Sequence, residues 1–202
     1  NPDEPVDGKD NDGNGYVDDN LGWDFHNDDR TPFDDPRNVH GTHVSGTIGA
    51  VGGNGIGVVG VCWKVSVIPC KFLGSSGGTM ANAVKAMDYL TDLKLRHGLN
   101  IVASNHSYGS VGFSVPLFYA VQRAAAADIL VVAAAGNGGV DKRGDNVERT
   151  PFYPGSYPLD NVITVAGIGT SGTLMSISNY SPNWVHLGAP GQNILSTVPT
   201  AK

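Results

Sequence analysis

Two histidines three residues apart, His40 and His43, open the stretch HGTHVSGTIGAV (40–51) among glycines, alanine and β-branched residues. Three chemistries suit that spacing: a pair of metal ligands, a packed helix start, or a general base at a helix N-terminus. A zinc pair of the metalloprotease type would want His-Glu-x-x-His or a third ligand close by. His26, His97, His106 and His186 are scattered along the chain instead, so zinc is disfavoured. A second stretch to weigh is the apolar run ILVVAAAGN (129–137), which ends on Asn137 at a glycine-rich turn. A third is DNDGNGYVDD (10–19), with oxygen ligands at alternate positions, Asp10, Asp12 and Asn14, then Gly15 at the sharp-turn position. In that frame Tyr16 offers its backbone carbonyl and Asp18 stands at position nine, with Asp7 and Asp19 as further candidates. The twelfth position is Leu21 rather than a bidentate glutamate, so the loop is not a complete EF-hand. Close-set carboxylates repel one another without a cation, and calcium is the expected ion.

The elements that must position these groups follow from periodicity. HGTHVSGTIGAV predicts a short helix of small residues packed close to its neighbours. TMANAVKAMDYLTDLKLRHG (79–98) has apolar residues at 80, 84, 87, 90, 93 and 95, with Thr79 as N-cap and Gly98 as stop. SVPLFYAVQRAAAAD (114–128) is a second helix with Pro116 near its start. KVSVIPCKFL (64–73), NIVASN (100–105), ILVVAAAGN and NVITVAG (161–167) predict strands, the last two apolar enough to be covered on both faces. Shorter strands are expected near WVHLGAP (184–190) and NILSTVP (193–199). Strand, helix, strand, helix, strand spells an α/β domain with a mostly parallel central sheet flanked by helices. In such sheets ligands bind at the carboxyl ends of strands. That singles out SNHSYGS (104–110), AAGNGG (134–139) and GAPGQN (188–193). Residues 1–37 are turn-rich and acidic, and are expected to belong to the same domain as 38–202.

Composition narrows the function. A net charge of −6 without a basic run argues against nucleic acid. No apolar stretch approaches the ~20 residues of a membrane span. The 28 glycines imply many tight turns or close backbone approaches. A dinucleotide site would need G-x-G-x-x-G between a strand and a helix, and none is present. Cys62 and Cys70 flank VSVIP; an extended segment between them spans up to ~26 Å, so they are expected to be free, buried thiols.

HGTHVSGT, SNHSYG, VVAAAGN, YPGSYPLDNVITVAG and APGQNILST occur in this order within one α/β pattern. Together they closely resemble the subtilisin-like serine proteases, over about residues 20–202. The resemblance implies a three-layer subtilisin-like fold and a serine-type endopeptidase with an Asp-His-Ser triad. It makes His40 the general base, His43 a buried packing residue and Asn137 the oxyanion donor. Ser107, Tyr108 and Gly109 become one rim of the substrate cleft, where backbone groups pair with an extended peptide. Ala134, Ala135 and Gly136 become the opposite wall of the primary specificity pocket, their small side chains leaving room for a large apolar residue. Relatives with the acidic insertion are calcium-stabilised. A second calcium position is suggested at Gly52, Asn54, Ile56 and Val58.

The pattern departs from the family in two places. No V-x-D-T-G strand precedes His40, and Asp34 and Asp35 lie in a loop between prolines. GTSG (169–172) and GGTMA (77–81) imitate the nucleophile motif G-T-S-M-A, but neither opens a helix with a serine in place. The expectation is therefore a central piece of a catalytic domain, inert alone, whose parent is an active endopeptidase. A calcium-stabilised, non-catalytic scaffold derived from a protease is the alternative. The resemblance further implies peptide or protein substrates, a propeptide or protein inhibitor as partner, a monomer, and an extracellular or secretory destination.

Overall fold

The computed structural model describes residues 1, 3–33 and 38–199. Asp34 and Asp35 lie outside the described residues. The chain divides into two compact units, residues 1–99 with 195–202, and residues 100–194.

In the first unit, β1 (Trp23–Asp24) pairs in parallel with β2 (Cys70–Lys71), and β3 (Leu73–Gly74) forms a hairpin with β4 (Gly77–Gly78). Two helices accompany them, α1 (His40–Gly49) and α2 (Met80–Leu95). Thr79 caps α2 as its sequence predicts, its side chain accepting the Asn82 N–H at 3.1 Å. GGTMA is thus a hairpin running into a helix cap. The buried face of α2 differs from the expected stripe: Ala83, Ala86, Met87, Tyr89, Thr91 and Leu93 are buried, whereas Met80 and Leu95 are exposed. Terminal apolar residues of a helix keep their period yet can run past the surface that covers them.

The expected strand 64–73 shortens to β2. Trp23–Asp24 supplies a ladder only opposite residues 70–71, so an alternating pattern upstream has nothing to pair with among the described residues. Val61, Trp63, Val65 and Val67 are correspondingly exposed. Both cysteines are free, but Cys62 is exposed and Cys70 only half-buried. NILSTVP forms no strand either; Ser196 and Thr197 instead donate to α1 carbonyls, Ser196 Oγ to His43 at 2.6 Å and Thr197 Oγ1 to Thr42 at 2.8 Å.

The second unit is a four-stranded parallel sheet in the order β5 (Ala103–His106), β6 (Leu130–Ala134), β7 (Val162–Ile168), β8 (Leu187–Pro190). Between β5 and β6 runs α3 (Val115–Ala126), opened by Ser114, whose side chain accepts the Leu117 N–H. Leu117, Ala120, Val121 and Ala124 form its buried stripe, and α3 packs on β6. Burying Leu117 and Val121 contributes about 1.5–3 kcal/mol each. Within β6 burial alternates: Val131 and Ala133 are buried, while Leu130 is exposed and Val132 and Ala134 are half-buried. One face is sealed, not the two that the apolar run predicts. The sequence is that of an α/β protein, and the fold is α/β with a parallel sheet.

Candidate active site and cation loop

His40 is the first residue of α1 and is exposed. Its neighbour Gly41 has open space where a side chain would stand, so no close approach explains that glycine. Gly46, by contrast, is crowded. A methyl group there would lie 2.1 Å from Thr197 Oγ1 and 2.9 Å from its Cβ. His43 is half-buried rather than buried. Its carbonyl accepts from Thr47 Oγ1 at 3.1 Å and from Ser196 Oγ, which anchors the helix one turn after His40.

The carboxyl ends of β5 and β6 carry the remaining candidates. The β5–β6 ladder ends at the pair His106–Ala133, and antiparallel pairing resumes at Ser110–Tyr153. Residues Ser107, Tyr108 and Gly109 lie between, outside the ladder. The Tyr108 side chain is turned to the buried His106, Nδ1 to Oη at 2.9 Å, and burial raises its pKa. Tyr108 can therefore offer an extended ligand its backbone rather than its hydroxyl. His106 is bracketed on its other side by Ser104 Oγ at 2.9 Å from Nε2, and burial lowers its pKa to about 4.

After β6 the chain turns through Gly136, at φ +104°, and Gly138, at φ +68°, conformations that L side chains rarely adopt. Buried Asn179 fixes this turn. Its Oδ1 accepts the N–H of Gly138 at 2.7 Å and of Asp145 at 2.9 Å, and its Nδ2 donates to the Ala135 carbonyl at 2.9 Å. Its own N–H donates to the Gly136 carbonyl at 2.9 Å. Asn137 stands exposed at the crest of the loop so held. Ala134 is half-buried, and Ala135 and Gly136 are buried.

The two predicted rims do meet around something, the ring of Phe152. A methyl group at Gly109 would lie 2.3 Å from Phe152 Cε1, and one at Gly136 would lie 3.0 Å from Cδ1. The ring of Phe152 thus packs against both glycines. Neither Asn179 nor Phe152 carries a signal in the sequence, because each acts on residues distant along the chain. GTSG is a tight turn between β7 and Leu174, where Gly169 N–H donates to the Thr173 carbonyl at 2.8 Å and Ser171 is exposed.

In the acidic loop the carboxylates divide their work. Glu4, only 1% exposed, accepts the N–H groups of Asn11, Asp12 and Asp18, which organises the turn. Asp10 accepts from the N–H groups of Asn14 and Gly15. Asp18 accepts from those of Asp7 and Gly8, and its other oxygen faces Arg30 at 3.4 Å. Asp12 accepts the Asn14 N–H at 3.0 Å and lies 3.7 Å from His97 Nδ1, and with Asp19 and Glu4 it forms one group whose oxygens lie within 4.8 Å of one another. The amides of Asn1 and Asn14 bridge Asp12 and Asp19, Asn1 Nδ2 at 2.8 and 2.7 Å and Asn14 Nδ2 at 3.1 and 2.9 Å. Tyr16 packs its ring edge-on against Phe25 and Tyr89. The Tyr89 hydroxyl is buried, and burial together with the hydrogen-bonding and negative charge of the neighbouring Asp19 carboxylate raises its pKa. Two converging carboxylates, and amide groups whose oxygens a flip would turn inward, suit a hard, oxygen-seeking cation such as calcium. The sequence frame thus has Asp12 and Asn14 at the cluster and Asp10 and Asp18 as its scaffold. In the suggested second loop, Asn54 Oδ1 accepts the Ile56 N–H at 3.0 Å.

Comparison with known proteins agrees with this architecture. Residues 3–202 match the model of the subtilase family. The chain is 36% identical to subtilisin-like protease 1 of Plasmodium falciparum (isolate 3D7) over 95% of its length and 29% of that protein. It is 37% identical to subtilisin DY of Bacillus licheniformis over 81% of its length and 55% of that protein. A solved structure, the S41 psychrophilic protease, superimposes with a TM-score of 0.67 at 31% identity, over 80% of this chain and 55% of that one. The chain thus spans from under a third to about half of these relatives. Its 202 residues belong to the subtilase family.

Proposed function

We propose that the chain is part of the catalytic domain of a serine endopeptidase, with His40 as general base and Asn137 as oxyanion donor. His40 accepts the proton of the attacking hydroxyl and returns it to the leaving amine. The Asn137 amide donates to the carbonyl oxygen as negative charge grows there. Ser107–Gly109 receives the peptide along its backbone, and Ala134–Gly136 flanks the residue whose carbonyl is attacked. The triad aspartate and serine are not among the motifs of these residues, and the 202-residue chain alone is inert. The observation that carries this reading is the Asn179-pinned turn at the carboxyl end of a parallel strand, which presents Asn137 outward. A preformed donor of this kind gains its effect from needing no reorganisation during reaction.

Calcium is held by Asp12 and Asp19, with the amides of Asn1 and Asn14 and the Tyr16 carbonyl completing an oxygen shell; the ion offsets the repulsion of the paired carboxylates. The substrates are peptides or proteins, and the family points to a secretory-pathway destination. Among the described residues no helix is long and apolar enough to cross a membrane. Casein hydrolysis by the full-length parent, abolished by His40→Ala, is the expected result. Undiminished hydrolysis by that variant sinks the assignment.

A further inference from the structure

The chain that leaves β6 closes into a ring on one buried side chain. Asn179 Oδ1 accepts the N–H groups of both Gly138 and Asp145, at 2.7 and 2.9 Å. The two stems meet at that clasp: a methyl group at Gly138 would collide with the Arg143 carbonyl, and one at Gly144 with the Ser178 carbonyl. Beyond this neck residues 139–143 are all exposed, and Val140 fully so. Two hydrogen bonds shape the tip, Lys142 N–H to the Gly139 carbonyl at 3.2 Å and Arg143 N–H to Asp141 Oδ1 at 3.1 Å. Lys142 stands at φ +58°, a conformation uncommon for L side chains. A tip that buries no apolar side chain and rests on solvent-exposed bonds opens readily without the rest of the fold. It carries two adjacent cations, Lys142 and Arg143, and Asn137 stands directly before its neck.

We propose that residues 139–143 are a cleavage loop, cut at the Lys142–Arg143 bond by a protease selective for basic side chains, and that the cut disables Asn137. Water adds across that amide, leaving a carboxylate on Lys142 and an amine on Arg143. The next bond is a poorer target, because Gly144 N–H donates to the Ser176 carbonyl at 2.9 Å within the packed neck. The rival site is Lys64 in the exposed run 61–67, flanked by Trp63 and Val65 rather than by a second cation. A closed ring keeps the two stems together, and a nick gives their ends freedom to separate. Asn137 then loses the fixed orientation on which a preformed donor depends. The loss of activity rests on the protease reading above, whereas the place of the cut does not.

The test exposes the full-length protein to a trace of trypsin under native conditions and maps the first cut by mass spectrometry. Trypsin is then blocked with soybean trypsin inhibitor, and kcat and KM are measured on one peptide substrate. The first cut is expected between Lys142 and Arg143, because cleavage of a fast-opening segment follows the population of its open form. In the nicked protein kcat is expected to fall by about tenfold or more, with KM changed only a few-fold. The double variant Lys142→Gln, Arg143→Gln is expected to keep the activity of the uncut protein and to hold it through the same exposure to trypsin. A first cut at Lys64, or at any other site, overturns the cleavage loop. A nicked protein whose kcat stays within about twofold of the intact one overturns the link to Asn137. Absence of endopeptidase activity before trypsin is added overturns the protease reading and that link, while the mapped cut still decides the loop.

Discussion

His106 sits at the end of β5 with a ring nitrogen on each of Ser104 and Tyr108 and almost no exposure. Burial holds its pKa at about 4, against about 6.5 for an unfolded histidine. Between those values the unfolded chain binds the extra proton, so stability rises with pH. The contribution is complete above about pH 6.5 and is lost as pH falls towards 4, with a full amplitude of about 3 kcal/mol. Denaturant titrations across that window should show the slope flattened in His106→Gln. Asn179 is a positioning residue with a different signature. Replacing it by aspartate keeps the acceptor for Gly138 and Asp145 but turns an oxygen towards the Ala135 carbonyl, which should cost about 1–3 kcal/mol. In the parent enzyme the same change should lower kcat more than it raises KM, because the loop carrying Asn137 loosens. At this scale the sequence displays residues whose proposed roles rest on their immediate neighbours. His40 and Asn137 stand inside contiguous motifs, whereas Asn179, Phe152 and Glu4 act across long separations that no local pattern encodes.

Elements were legible where their stabilising partners lie within the same stretch. Thr79 marks the start of α2 correctly because a cap bonds to backbone only three residues away, and Pro116 stands at the start of α3 as expected. β6 and β7 follow from dense apolar runs. The strand expected upstream of Cys70 fails because a ladder needs a neighbour, which a single alternating segment cannot reveal. α1 offers the sharpest test at this scale. Gly46→Ala gains helix propensity but drives a methyl group into Thr197, whose hydroxyl and Cβ lie too close. Stability should fall by about 1–3 kcal/mol, since the packing and hydrogen-bond losses exceed a propensity gain of about 1 kcal/mol. Gly41→Ala, facing open space in the same helix, should instead be neutral or stabilising by up to about 1 kcal/mol. Thermal melts of the two variants separate the effects. An equal loss from both would mean that α1 does not depend on its close approach to residues 196–197.

For the whole molecule, the calcium proposal makes stability depend on a cation held by the acidic segment. At free calcium a hundredfold above Kd, binding to the folded state contributes about 2.7 kcal/mol, or roughly 5–10 °C in Tm for a chain of this size. Chelation should lower Tm by that order, and Asp19→Asn should remove the dependence on calcium. An unchanged melt in chelator would mean that the amide bridges of Asn1 and Asn14 hold Asp12 and Asp19 without an ion. The catalytic account itself is decided by the Asn137→Ala variant of the full-length parent, measured for kcat and KM on one peptide substrate. The account predicts kcat lower by about 10²–10³, the loss known for a subtilisin oxyanion asparagine and not a value obtained from this structure, with KM changed only a few-fold. A kcat within twofold of the unmodified enzyme would contradict it.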